Sequence, residues 1–147
     1  MAKDITHGGH RVGRVRAQVG LECTDPWGRT VRVPTTLSYQ SGDPYAISLT
    51  FHVPDGDVTW LVARDVVLEG LTHPAGDGDV RVFPSIGDDA AAVVVLVFSS
   101  PEGDLIAEVS TRELHAFLAR TLVLVPKGTE SAYLDVDALV DALRATA

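Results

Sequence analysis

A period of two in side-chain character sets what this chain can fold into. Tyr45, Ile47, Leu49 and Phe51 alternate with Ala46, Ser48, Thr50 and His52. Successive side chains of an extended chain point to opposite faces, so this run predicts a half-buried strand. Asp43-Pro44 ahead of it is a turn signal. Pro54-Asp55-Gly56-Asp57 is a tight connection into Val58, Trp60 and Val62, a second strand that can pair back as a hairpin. Asp65 is positioned to cap a short helix running to about Leu71, stopped by Gly70 and Pro74. Gly76-Asp77-Gly78-Asp79 then turns the chain into a strand over Val80 to Phe83.

The same period appears on either side of this block. Val15, Ala17, Val19, Leu21 and Cys23 alternate with Arg14, Arg16, Gln18, Gly20 and Glu22, predicting an amphipathic strand. Thr30 to Val33 predicts another, and Pro34, which lacks an N–H, assigns its end to a sheet edge. Val93 to Val97 is apolar at every position and β-branched, which predicts a strand covered on both faces. Leu105 to Val109 follows the Ser99-Ser100-Pro101-Glu102-Gly103 turn and can pair back. Ser110 and Glu113 have capping-box spacing, and Leu114, Phe117, Leu118 and Leu122 follow at helical spacing. Asp135 is positioned to cap a last helix with Val136, Leu139, Val140 and Leu143 on one stripe. Helices cluster after strands instead of alternating with them, which predicts an α+β fold on a mainly antiparallel sheet. Residues 1–12 read as a flexible polar tail, and 13–147 as a single domain.

Composition narrows the function classes. The net charge is −8, which argues against general affinity for phosphate backbones. Up to Val33 there are six basic and three acidic residues; after it, six and seventeen. Cys23 is the only cysteine, so no internal disulfide forms, in keeping with a cytoplasmic location. No secretory leader pattern is visible. The longest apolar run, Ala90 to Phe98, is far shorter than the about 20 residues that span a bilayer. Lys127-Gly128-Thr129 lacks the upstream glycine spacing of a phosphate loop, and no Gly-x-Ser-x-Gly elbow occurs. Gly76 to Asp79 is followed by Val80 and Arg81, where an EF-hand would need further oxygen ligands. Cys23 falls on the apolar side of its strand, so it reads as a small buried hydrophobe and not a nucleophile. No histidine pair has metal-ligand spacing. The expectation is a protein without cofactor, metal or small-molecule substrate.

Several phrases in order carry a family resemblance. They are Asp43-Pro44-Tyr45-Ala46, Thr50-Phe51-His52, Trp60 with Ala63-Arg64-Asp65, Glu69-Gly70-Leu71, and Gly76 through Pro84. Ser99 to Gly103, Phe117 to Thr121 and Val125 to Glu130 extend the match. The chain resembles the SsgA-like family of actinobacterial sporulation and cell-division proteins over about residues 20 to 145. Phe83 stands where the family phrase has Trp, and the first dozen residues have no counterpart. The resemblance implies a seven-stranded, barrel-like sheet with C-terminal helices, similar to Whirly-type nucleic-acid-binding proteins, assembled as a homotrimer. It implies a non-catalytic cytoplasmic protein recruited to the division septum. Its implied partners are the tubulin-like division protein FtsZ and other SsgA-like proteins. The fold analogy also raises single-stranded nucleic acid as a ligand, which the acidic composition opposes. From the residues themselves, the region Arg64 to Asp79 is the expected contact surface. Arg64, Asp65, Glu69, His73, Asp77 and Asp79 supply its polar groups on a helix and loop held by Trp60 and Val62.

Overall fold

The computed structural model describes residues 13–134, 140 and 143–145. Its strands are β1 (Arg14–Thr24), β2 (Thr30–Gln40), β3 (Asp43–Phe51), β4 (Val58–Ala63), β5 (Val80–Ile86), β6 (Ala92–Ser100) and β7 (Gly103–Ser110). Helix α1 (Arg64–Gly70) joins β4 to β5; α2 (Thr111–Leu124) follows β7, and a 3-10 turn spans Glu130–Tyr133. All strands lie in one antiparallel sheet in the order β4-β3-β2-β1-β7-β6-β5. Two meanders, β1–β4 and β5–β7, therefore meet where β7 lies beside β1, and α1 carries the chain from one edge strand to the other.

The period-two reading of the chain becomes the core. Val33, Leu37 and Tyr39 of β2, Ile47, Leu49 and Phe51 of β3, and Leu21 and Cys23 of β1 are buried on one face. Val94 to Phe98 of β6 are all buried, as their apolar run predicts. Phe98 meets Phe51 edge-on at 5.7 Å and Trp60 at 5.0 Å between ring centroids, which ties both meanders together. β1 pairs with β7 only over Glu22 to Thr24. Along its earlier residues the gap is closed by α2, whose Arg120 Nη1 donates to the Arg16 carbonyl at 3.0 Å. Helix α2 buries Leu114, Phe117, Leu118 and Thr121, and Ser110 Oγ accepts the Glu113 N–H at its start.

Three local expectations change. Pro34 lies within an eleven-residue central strand and does not end it. Pairing with β3 starts only at Thr35, and the Pro34 carbonyl takes the His52 N–H beyond it, so the missing proline N–H falls where β3 ends. Asp65 does not cap α1: the helix begins at Arg64 after Ala63, without a side-chain cap, and Asp65 lies in its first turn. Tyr45 is half exposed, because the apolar stripe runs out at the end of the sheet. The expected cap of the last helix, Asp135, and Val136 and Leu139 of its stripe lie outside the described residues, as does the 1–12 tail.

Candidate interaction surface

α1 is fixed at both ends. Gly70 packs so closely on Val82 of β5 that any Cβ would overlap its side chain. The other end is held by Arg64, whose side chain points inward and is 1% exposed. Its Nη1 donates to the Val125 carbonyl at 2.8 Å and the Thr121 carbonyl at 3.1 Å. Its Nη2 donates to Glu130 Oε2 at 3.0 Å. The guanidinium also lies over the Tyr39 ring, 4.9 Å from the centroid.

The carbonyls that Arg64 binds belong to the last turn and C-cap of α2, which has no basic residue of its own there. The Thr121 carbonyl also accepts the Val125 N–H, the Val125 carbonyl has no donor from the helix, and both lie at the negative end of the helix dipole. Arg64 thus caps α2 from another element, and Glu130 balances its charge. Gly128, at φ +91°, turns its N–H onto Glu130 Oε1 at 2.9 Å. Hydrogen bonding to the Glu130 backbone N–H and to Arg64 holds the Glu130 carboxyl below its usual range, against the opposing effect of burial. Burial pushes the Tyr39 phenol up to about 12, and its hydroxyl donates to the Pro44 carbonyl at 2.8 Å.

This removes Arg64 from the expected contact surface. It is an interior side chain hydrogen-bonded within the domain, and no partner can reach it. The other expected residues, Asp65, Glu69, His73, Asp77 and Asp79, are all exposed. Asp65 and Glu69 are four apart in α1, hence neighbours on one face. The loop after them is tied down by backbone bonds: His73 N–H to the Glu69 carbonyl at 2.9 Å, a reciprocal Ala75–Val82 pair at 2.8 and 2.9 Å, and Ser99 N–H to the Asp79 carbonyl at 2.8 Å. The arrangement is a rigid acidic surface with one histidine, built on a pinned helix.

Elsewhere, Cys23 is 3% exposed, and burial with the neighbouring Glu22 charge raises its thiol from 9.0 to about 11. A protonated, buried thiol is inert as a nucleophile. His52 lies between Asp57 (Nδ1 to Oδ1, 3.0 Å) and Thr36 (Nε2 to Oγ1, 2.7 Å) on the polar face of the sheet. Among the described residues no three His, Cys, Asp or Glu side chains gather as a metal site. Sequence reasoning missed Glu130 and Tyr39 as partners of Arg64. The only signal was an arginine at an otherwise inward-facing position, after Trp60 and Val62.

The family model described as "Streptomyces sporulation and cell division protein, SsgA" matches residues 33–130. The chain belongs to the SsgA family. That stretch holds α1, its loop, Arg64 and Glu130. The chain is 42% identical over 132 residues to the sporulation-specific cell division protein SsgB of Kineococcus radiotolerans, covering 89% of this chain and 80% of that one. It is 46% identical over 106 residues to SsgB of Streptomyces coelicolor, covering 71% and 77%. Two solved structures share the fold. One is the SsgA-like sporulation-specific cell division protein of Thermobifida fusca, with TM-score 0.79, 36% identity and coverage of 97% of this chain and 98% of that one. The other comes from work relating mutations in SsgB to longitudinal cell division during sporulation of Streptomyces coelicolor, with TM-score 0.78, 39% identity, and coverage of 86% and 99%. These SsgA-family neighbours bear out the antiparallel seven-stranded sheet with few helices.

Proposed function

We propose that this protein is a non-catalytic cell-division protein that acts by direct contact with partner proteins, recruiting or positioning FtsZ at septa. The observation that carries the reading is membership of the SsgA family, with relatives named as sporulation-specific cell division proteins aligned over most of their length. The inert state of Cys23 supports a role in binding over one in nucleophilic chemistry. On this reading the protein works in the cytoplasm as a homo-oligomer, a trimer, with FtsZ and other SsgA-like proteins as its partners, and collects at the division septum.

The contact surface in this proposal is Asp65, Glu69, His73, Asp77 and Asp79. Their rigid support favours it, because a surface ordered before binding loses little conformational entropy on contact. The test is Asp65→Lys with Glu69→Lys in the native host, alongside the purified variant. Intact folding and oligomer state with misplaced septa and lost FtsZ capture is the expected result. Normal septation in the double variant rules this surface out, and normal septation in a strain lacking the protein rules out the cell-division role itself.

A further inference from the structure

The sheet face turned away from the core carries an ordered set of polar side chains that the fold does not need. Register places Arg16 opposite Ser38 and Ser38 opposite Ser48, in one row across β1, β2 and β3. The next row holds Gln18, Thr36, Thr50 and Thr59. That row is satisfied internally: Thr36 bonds Gln18 and His52, and Thr50 bonds Thr59 at 3.0 Å. The row of Arg16, Ser38 and Ser48 shows no side-chain partner among the described residues. Arg14, beside it, bonds only the neutral Gln40 Oε1, at 3.0 Å. Arg29, Arg32, Arg64 and Arg81 are ion-paired, whereas Arg14, Arg16 and the adjoining Arg120 pair with no carboxylate among the described residues. Asp43 is the one carboxylate lining the same cavity and it pairs with neither Arg14 nor Arg16, so on a body of net charge −8 this face carries a small local excess of positive charge. Apart from Gln18, the two rows line a cavity of about 410 Å³.

We infer that this face docks an extended acidic segment of a partner protein. Arginine forks donate to carboxylates in bidentate fashion, and the free serine hydroxyls beside them can donate to the same oxygens. The short Ser and Thr side chains leave a shallow floor on which an extended chain can lie, with the exposed Leu61 at the β4 end of the Arg16 row to take an apolar residue. Single-stranded nucleic acid fits less well. Of the rings lining the cavity, Tyr39 is buried beneath it and His52 is held between Thr36 and Asp57, so bases find no flat stacking platform, and the rest of the surface repels phosphate. This inference rests on the reading of the protein as one that acts by protein contact. It is tested with purified components, so its failure leaves the cellular role to stand or fall by the septation experiment.

The probe is a fluorescein-labelled octapeptide of alternating glutamate and serine, followed by anisotropy at low and physiological salt. A lysine–serine octapeptide and a labelled thymidine octamer serve as comparisons. Binding of the acidic peptide that weakens with salt, and that falls about tenfold or more in Arg14→Gln/Arg16→Gln, is expected. The double variant should keep the wild-type melting temperature, since neither side chain touches the core. Absence of acidic-peptide binding, unchanged affinity in the double variant, or tighter binding of either comparison probe overturns the inference.

Discussion

Replacing Arg64 tests the central packing argument. Arg64→Met keeps the length and apolar stem but removes the guanidinium. Glu130 is then left in the interior without its counter-charge, the Val125 carbonyl loses its donor, and the Thr121 carbonyl keeps only the Val125 N–H. Truncating one member of a buried pair typically costs about 3–5 kcal/mol, because the remaining charge loses its counter-ion, here with only backbone N–H groups left to hold it. For a chain of this size each kcal/mol shifts the melting temperature by about 2–4 °C, so a drop of about 10 °C is expected. Arg64→Lys keeps the charge but replaces a planar fork with one ammonium, so it falls between wild type and Arg64→Met. The pair can also be removed together. Arg64→Met/Glu130→Met leaves no stranded charge and is expected to recover part of the loss, the rest being the orphaned Val125 carbonyl. Urea unfolding of the four proteins completes a double-mutant cycle. A loss under about 1 kcal/mol in Arg64→Met, or additivity of the two substitutions, would refute the claim that Arg64 and Glu130 stabilise α2 as a unit.

Acid should expose the same contact. The folded Glu130 carboxyl titrates below its ordinary 4.5, so its contribution is present above that value and is lost as pH falls through the folded pKa; Glu130→Gln should flatten urea-measured stability against pH in that window. Cys23, raised to about 11, should resist iodoacetamide at neutral pH in the native protein and react fully in urea, and fast native labelling would contradict its placement. Phe98→Ala removes the ring shared by Phe51 and Trp60 and should cost about 3–5 kcal/mol by urea denaturation. Light scattering of the purified protein at micromolar concentration should report a trimer, and a monomer there would refute that assembly.

Most of the fold was legible because strands leave a short, local signature. The alternation at Val15 to Cys23 and at Ile47 to Phe51, and the apolar run at Val93 to Val97, each became a strand with the expected face inward. Ser110 announced α2 because a cap is a contact within one turn of chain. Pro34 misled because its missing N–H matters only on the side where a neighbour pairs, and only the sheet order shows where β3 stops. Neither the order of strands nor the narrow β1–β7 seam is encoded locally. Both follow from which apolar faces can be covered at once.

The candidate surface was half legible for the same reason. Asp65, Glu69, Asp77 and Asp79 needed only a helix and a glycine-rich loop to be placed outside. Arg64 needed knowledge of a partner 66 residues away. A guanidinium is costly to bury alone, so the sequence prior sends it to the surface. That prior reverses once a carboxylate, two helix-end carbonyls and a tyrosine ring converge on the same point. The supply of acceptors at the end of α2, where no basic residue answers the dipole, is what makes the interior position tenable. It also explains why the acidic surface is rigid: Asp65 directly follows the residue that binds α1 to α2, so the outward face of α1 takes its orientation from an inward bond.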